Sequence, residues 1–187
     1  GKGVVKISSE EDLREKGFNS PSVIEKVIPF QKEIAVIVAR NRSGHINSFP
    51  VVEMEFNTEA NLVEFLFSPA DLTPDVESKA ITIAESIIHS LGLVGILAVE
   101  MFVTKEGELY VNEIAPRPHN SGHHTIEGNI TSQYEQHLRA ILGLPLGDSS
   151  IIRPSVMINL LGEKGYSGPA HYLNLVEAMQ LGDVHIH

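Results

Sequence analysis

Apolar residues recur along the chain in two patterns, one typical of strands and the other of helices. Short apolar runs that are rich in β-branched residues and bounded by turn residues predict strands. These runs cover residues 22–27, 33–40, 46–52, 62–67, 94–103, 109–114 and 155–161, with a last strand starting at residue 184. Turns at residues 41–44 and at Glu106 and Gly107 would join neighbouring strands into two hairpins.

Three segments carry the start and stop signals of helices. Each begins near an N-cap residue and ends at glycine, and they cover residues 8–17, 73–92 and 132–143. The second has the clearest pattern, because Thr73 can cap it and Pro74 suits its first position. Strands, hairpins and packing helices in this order predict an α+β domain with an antiparallel sheet.

Composition narrows the class of protein. The 187 residues include 42% hydrophobic and 20% charged residues, as in an ordinary soluble globular protein. A net charge of −10 argues against nucleic acid as a partner. The absence of cysteine excludes disulfides and thiolate nucleophiles. No apolar stretch approaches the ~20 residues of a membrane span and no signal peptide is evident, so a cytoplasmic protein without a membrane partner is expected.

Two acidic residues, Glu100 and Glu113, lie in the neighbouring strands of the second hairpin. A two-residue loop at Glu106 and Gly107 sets a register that places them opposite each other. Like charges at opposed positions, with Cβ atoms roughly 5 Å apart, destabilise a sheet. A divalent cation such as Mg²⁺ would relieve the repulsion, because it accepts carboxylate oxygens and takes its other ligands from water or phosphate. Solvated carboxylates, or one carboxyl that stays protonated, would relieve it too.

A polar loop, residues 112–125, follows this hairpin. It is dense in asparagine, histidine, serine and arginine side chains, which bind anions or move protons, and Pro116 and Pro118 stiffen it. A rigid polar loop of this kind is typical of an active site, although a solvated surface loop would have the same composition.

Several segments are similar to the signature of the N5-carboxyaminoimidazole ribonucleotide synthetases, ATP-grasp enzymes of purine biosynthesis, namely Glu100 and residues 112–117, 119–123, 132–140, 142–147 and 154–162. This resemblance implies an ATP-grasp central domain followed by the start of a small β-rich C-terminal domain. It also implies a ligase reaction, in which ATP activates bicarbonate as carboxyphosphate. Aminoimidazole ribonucleotide then captures the carboxyl group, and ADP and phosphate are released.

The same resemblance implies a metal site and a set of catalytic groups. Glu100 and Glu113 would hold Mg²⁺, or Mn²⁺, on the ATP phosphates, with Asn112 beside them. Several ATP-grasp enzymes place a further asparagine ligand where this chain has Ala115, which leaves the metal fewer protein ligands. The expected catalytic residues are Arg117, which would hold bicarbonate, and His119 and Asn120, which would position substrate or carboxyphosphate.

ATP-binding positions also follow from the resemblance. They belong to a glycine-rich loop over the phosphates, a hinge that reads the adenine edge, and strand positions at the ribose and phosphates. These positions are Gly1, Lys2, Gly3, Glu25, Lys26, Val27, Ile28, Glu33, Asn112 and Glu113. One departure is Phe56, which stands where some family members have a histidine near the nucleotide.

The resemblance divides the chain into three parts. Residues 1–24 would be the remnant of a lid subdomain, residues 25–147 the catalytic subdomain, and residues 148–187 the start of the C-terminal domain. An N-terminal domain and the segment that receives the substrate's phosphate would be missing, so this piece alone is expected to be inactive. The full-length enzyme is expected to be a homodimer that takes ATP, bicarbonate and aminoimidazole ribonucleotide.

Two other functions stay open at this point. A related ATP-grasp ligase that activates formate or an amino acid would share the carboxylate pair. A non-catalytic histidine module would instead bind zinc through residues drawn from His119, His123, His124, His185 and His187.

Overall fold

The structure is a computed structural model that describes residues 3–57, 62–162 and 165–187. Seven strands in these described ranges form one sheet, and all the pairings between them are antiparallel. The strands are β1 (Lys32–Arg40), β2 (Ile46–Ser48), β3 (Val52–Asn57), β4 (Leu62–Ser68), β5 (Gly95–Val103), β6 (Leu109–Ala115) and β7 (Ser155–Ile158). Their order is β6-β5-β1-β3-β4-β7, and β2 pairs with the end of β1.

Helices accompany the sheet at α1 (Glu10–Lys16), α2 (Pro74–Ser90), α3 (Thr125–Gly128), α4 (Gln133–Leu142) and α5 (Leu175–Met179). The three predicted helices correspond to α1, α2 and α4, and the predicted α+β class with an antiparallel sheet is confirmed. Ser9 and Ser132 cap α1 and α4, because each hydroxyl oxygen accepts a hydrogen bond from a backbone N–H of the first turn. In the described parts of the chain, no helix is both long and apolar enough to cross a membrane.

Two predicted strands are wrong because a strand needs a neighbour for its hydrogen bonds. Residues 22–27 form an irregular segment in which Val23 is 86% and Ile24 is 94% exposed. Within the described residues, no other strand pairs with this segment. Residues 184–187 also form no strand. Local composition predicted extended backbone at both places, but a ladder depends on distant residues.

The predicted strand at residues 46–52 is divided into β2 and the start of β3. Pro50 lies between the two pieces, and proline has no N–H to donate to a ladder. The Phe49 N–H still donates to the Ile37 carbonyl oxygen at 2.8 Å, so the chain stays close to β1 across the break. The part of β3 that follows Val52 was missed by the sequence pattern.

β7 is shorter than the predicted strand at residues 155–161 and lies at the edge of the same sheet. It pairs with β4 through four residue pairs, from Phe65 with Ile158 to Ser68 with Ser155. These residues fall in the part predicted to begin a C-terminal domain, and the division into three parts stays a prediction.

One face of the sheet packs against α2. Side chains of β1 and β5 alternate between the two faces, so every second residue of each strand points towards this helix. The buried cluster contains Ile34, Val36, Val38, Leu97, Val99 and Met101 from the strands and Val76, Ala80, Ala84 and Ile88 from the helix. This packing makes β1 and β5 the centre of the fold.

The opposite face carries a second buried cluster and the candidate site. The cluster members are Ile37, Phe49, Ile96, Ala98 and Ala115. Glu100 lies on this face, because it is two residues from Ala98 along β5. Glu33 lies on it as well, two residues before Ala35, the residue of β1 that pairs with Glu100.

Candidate functional site

The hairpin that carries the acidic pair closes with a three-residue turn. The Thr104 N–H donates to the Glu108 carbonyl oxygen at 3.0 Å, and the Gly107 N–H donates to the Thr104 carbonyl oxygen at 3.0 Å. Gly107 has φ +78°, a left-handed conformation that suits glycine. The predicted two-residue loop, with Lys105 opposite Glu108, is therefore wrong.

An extra residue in β6 restores the predicted pairing of the acidic residues. Met101 pairs with Val111, but the next residue back, Glu100, pairs with Glu113. Asn112 is left over between the two pairs, which is a β-bulge. Glu100 and Glu113 are opposite each other as predicted, although by a different path along the hairpin.

Glu100 is a carboxylate in an unfavourable electrostatic environment. Its side chain is only 13% exposed. Burial, followed by the charges of Glu113 and Glu33, raises the pKa of Glu100 from 4.5 to about 7. Glu113 is exposed on β6, the edge strand. The charges of two acidic side chains on the same sheet face thus act on Glu100, and burial raises the pKa of Glu33 as well.

The polar loop brings His119 to the same place. Its Nε2 atom lies 3.6 Å from Oε1 of Glu100, and its side chain is buried to the same extent. Burial, together with the charge of Arg117, lowers the pKa of His119. The imidazole is therefore neutral near pH 7 and supplies no full positive charge to Glu100.

The hydrogen bonds of His119 determine which ring nitrogen carries its proton. Nδ1 accepts from the Ser121 N–H at 3.3 Å and lies 3.0 Å from the Ser121 hydroxyl oxygen, which can donate to it. With Nδ1 as the acceptor of these contacts, the neutral ring is protonated at Nε2. That proton is on the side of the ring that faces Glu100. Asn120 follows in a single 3₁₀ turn (Asn120–Gly122). Arg117 is exposed and donates from Nη1 to the Pro118 carbonyl oxygen at 3.1 Å.

Gln133, in the first turn of α4, was not predicted from the sequence. Its side chain holds this loop by hydrogen bonds. The residue is fully buried at the first turn of α4, and its side chain bonds to both backbone polar groups of His119. A glutamine just after an N-cap serine gives no signal of burial, because first-turn polar residues usually face solvent. Only the packing of α4 against β5 and β1 reveals it.

The predicted nucleotide-binding positions that precede β1 are mostly exposed where the structure describes them. Gly1 and Lys2 are outside the described residues, and Gly3 is exposed with φ +88°. Glu25, Lys26 and Val27 are exposed and Ile28 is half-buried in the irregular segment that leads into β1. Two contacts link the end of this segment to β5, which carries Glu100. Gln31 N–H donates to the Val103 carbonyl oxygen at 2.7 Å, and the ring of Phe30 stacks on Phe102 with centroids 4.5 Å apart.

Phe56 is partly buried and serves as packing. It lies against a buried cluster on the same side of the sheet as Glu33, formed by Ala35, Val52, Met54, Val63 and Leu66. The phenyl ring therefore adds to the hydrophobic packing at a position where some family members carry histidine.

The acidic pair fits a metal that brings other ligands with it. The described residues contain no group of three His, Asp or Glu side chains placed to hold a metal ion. Two opposed carboxylates, with a raised pKa on one of them, instead fit a cation that completes its coordination with phosphate oxygens and water. Nδ1 of His185 lies 3.6 Å, and Nε2 of His187 lies 3.7 Å, from Oε1 of Glu127. These contacts do not support the zinc module, because no group of three metal-binding side chains is found among the described residues.

Comparisons with known proteins point to one family. Residues 1–134 match the ATP-grasp domain family. The N5-carboxyaminoimidazole ribonucleotide synthase of Bacillus subtilis is 42% identical over 168 residues, which are 88% of this chain and 43% of that protein. The crystal structure of the synthetase from Thermotoga maritima matches with 46% identity and a TM-score of 0.81, over 93% of this chain and 46% of that one.

A third match carries ligands. The synthase from Aspergillus clavatus, solved in complex with ADP and 5-aminoimidazole ribonucleotide, is 36% identical with a TM-score of 0.66, over 74% of this chain and 37% of that one. The chain thus spans less than half the length of each of these three relatives.

Proposed function

Because the chain belongs to the ATP-grasp family, we propose that it is the ATP-grasp part of an N5-carboxyaminoimidazole ribonucleotide synthase. The enzyme would be a carbon–nitrogen ligase that uses ATP and bicarbonate to carboxylate 5-aminoimidazole ribonucleotide through carboxyphosphate. The observation that carries this proposal is the opposed pair Glu100 and Glu113 with His119 beside it. The names of the relatives at 36–46% identity support the choice of reaction.

Glu100 and Glu113 are the residues that would hold the metal. Mg²⁺, or Mn²⁺, would neutralise negative charge on the phosphates of ATP. The two carboxylates repel each other in the hairpin, and a cation between them would cancel this repulsion. The pair therefore provides the negatively charged protein ligands that such an ion needs.

Arg117, His119 and Asn120 would act on the smaller substrate. The guanidinium of Arg117 uses one N–H on the Pro118 carbonyl oxygen, and its planar fork has further donors that suit bicarbonate. His119 would donate its Nε2 proton to an oxygen of substrate or carboxyphosphate. Asn120, next along the loop, would orient the same group with its amide.

The nucleotide would bind along the segment that leads into β1. Backbone groups and the carboxylate in residues 25–28 would read the adenine edge, Glu33 would contact ribose, and residues 1–3 would cover the phosphates with Asn112 and Glu113 beyond them. ADP in the Aspergillus clavatus relative supports a nucleotide site in this fold. We also expect the full-length protein to be cytoplasmic and to form a homodimer. Light scattering on the full-length protein tests the dimer.

The experiment is an assay of the full-length protein with ATP, Mg²⁺, bicarbonate and aminoimidazole ribonucleotide, beside the variant Glu113→Gln. We expect turnover to fall by about 100-fold or more, because a metal ligand is lost. Glu106→Gln, in the exposed turn of the same hairpin, is the control and should keep its activity. Unchanged turnover in Glu113→Gln would refute the metal assignment. Turnover with formate in place of bicarbonate would favour a related ligase.

A further inference from the structure

Gln133 uses its whole side-chain amide on the polar loop. Its Oε1 accepts from the His119 N–H at 2.9 Å, and its Nε2 donates to the His119 carbonyl oxygen at 2.8 Å. Nε2 also lies 3.1 Å from Nδ1 of His123, a ring nitrogen that is 2.8 Å from the Tyr134 hydroxyl oxygen. One buried side chain therefore bonds both backbone groups of His119 and lies against a second histidine.

The surroundings leave this amide little freedom to move. A Cβ atom added to Gly122 would lie 2.5 Å from both Cδ and Oε1 of Gln133, so the loop backbone packs directly on the amide. The backbone N–H of Gln133 donates to Oγ1 of Thr125 at 2.8 Å, and that hydroxyl donates to the Gly122 carbonyl oxygen. The loop and the first turn of α4 are thus joined at several atoms.

The position of His119 depends on these bonds. Its ring is buried beside Glu100, and its Nε2 proton faces that carboxylate because Nδ1 accepts from Ser121. Both contacts require the backbone of residues 119–121 to keep its present path. Gln133 supplies the partner of the His119 N–H and one of two donors to the His119 carbonyl oxygen, the other being the Gly122 N–H at 2.9 Å.

We propose that Gln133 is a positioning residue: its amide fixes the His119 backbone and so aims the Nε2 proton of that ring at the reacting group beside Glu100. The effect on turnover rests on the proposed function, whereas the effect on the His119 backbone does not. Gln133 itself touches no substrate, and it affects turnover only through the position of His119.

The same helix offers a matched comparison in Gln136. This residue is also fully buried, and its amide makes the same two-bond pattern with a single backbone residue. Its Nε2 donates to the Gly147 carbonyl oxygen at 3.0 Å, and its Oε1 accepts from the Gly147 N–H at 2.7 Å. Gly147 lies outside the loop that carries His119. Loss of either amide costs the fold two similar hydrogen bonds, but only one loss reaches His119.

The test compares Gln133→Met with Gln136→Met in the full-length protein. Both variants should lower the unfolding midpoint by similar amounts. Only Gln133→Met should speed hydrogen exchange at the His119 amide, by about tenfold or more, because that N–H loses its acceptor. Only Gln133→Met should lower kcat, by about tenfold or more, with KM for ATP within about twofold of the parent, because a misplaced group costs rate rather than nucleotide binding.

Equal losses of kcat in the two variants, or an unchanged His119 amide in Gln133→Met, would overturn the proposal. If Gln133→Met does not fold, Gln133→Glu replaces it. That change keeps an acceptor for the His119 N–H but loses both Nε2 donors, so amide protection should persist while kcat falls relative to the matched variant Gln136→Glu. Equal kcat in Gln133→Glu and Gln136→Glu would overturn the proposal. A parent enzyme that fails to carboxylate aminoimidazole ribonucleotide would refute the proposed function, and the exchange measurement would still decide on the hydrogen bonds from Gln133.

Discussion

The carboxyl group of Glu100 couples the stability of the fold to pH. Its pKa is raised to about 7 in the folded chain against an ordinary 4.5. Between these values the folded state holds a proton that the unfolded chain has released, so the free energy of unfolding falls as pH rises from about 4.5 to 7. For a side chain that is 13% exposed, the whole shift corresponds to a loss on the order of 3 kcal/mol.

Replacement of Glu100 by glutamine should remove this dependence. We expect Glu100→Gln to gain about 3 kcal/mol in free energy of unfolding relative to the parent at pH 8, and to be similar to it at pH 4.5. Urea denaturation at both pH values, without divalent cations, measures the difference. Glu106→Gln should follow the parent at both. If the free energies of unfolding of the parent and Glu100→Gln differed by the same amount at both pH values, the raised pKa of Glu100 would be contradicted.

His124 has the opposite dependence. Burial lowers its pKa from 6.5 to about 4, although an interaction with the Ser121 backbone acts in the opposite direction. The unfolded chain binds a proton that the folded state excludes, so this group lowers stability as pH falls through the window from 6.5 to 4. Glu100 and His124 therefore act against each other in the interval where their windows overlap.

We expect the imidazole of His124 to stay neutral in the folded protein down to about pH 4. An NMR titration of the histidine ring signals measures this directly. A midpoint near 6.5 for His124 would mean that the ring is solvated, which its burial in the structure does not allow.

Elements with strong local signals were predicted well, and elements that depend on distant partners were not. The caps at Ser9 and Ser132 and the proline at the start of α2 act within one turn, so they are visible in the sequence. Residues 22–27 have the composition of a strand but lack a partner among the described residues. Asn112 has no local signal either, because a bulge is a property of two strands together.

The two N-caps differ in a way that mutation can measure. The Ser132 hydroxyl oxygen accepts from the Glu135 N–H at 3.2 Å, whereas Thr73 makes no side-chain capping bond. We expect Ser132→Ala to cost about 1 kcal/mol of stability and Thr73→Ala to cost distinctly less. Denaturation midpoints of the two variants, compared with the parent, decide the matter. Equal costs would mean that the capping bond of Ser132 contributes nothing.

At the scale of the whole molecule, the sheet has the buried cluster against α2 on one face and the candidate site on the other. Its centre, β1 and β5, is buried against α2, while the acidic group lies on the other face. The carboxylate pair and the loop were predicted because they lie within one hairpin and its continuation. The place of Gln133 under His119 could not be predicted, because it depends on how a later helix packs across the sheet.

Hydrogen exchange should reveal this arrangement along the chain. β1 and β5 have strand neighbours on both edges, as β3 and β4 do, and they are also buried against α2, so their amides should be the slowest to exchange among the described residues. Residues 18–27 are all exposed and belong to no helix or strand, so they should exchange within the earliest time points. Mass spectrometry of the exchanged peptides measures both. Equal protection of the two regions would contradict the open position of the irregular segment.

The three-residue turn and the bulge of the β5–β6 hairpin each shift the strand register by one residue, in opposite directions. The three-residue turn alone would set Asn112 opposite Glu100, and the extra residue moves the frame on by one so that Glu113 takes that place. An insertion or deletion in residues 105–107 therefore has to be matched at residue 112, or the second carboxylate loses its partner. In an alignment of relatives, gaps at these two places should occur together.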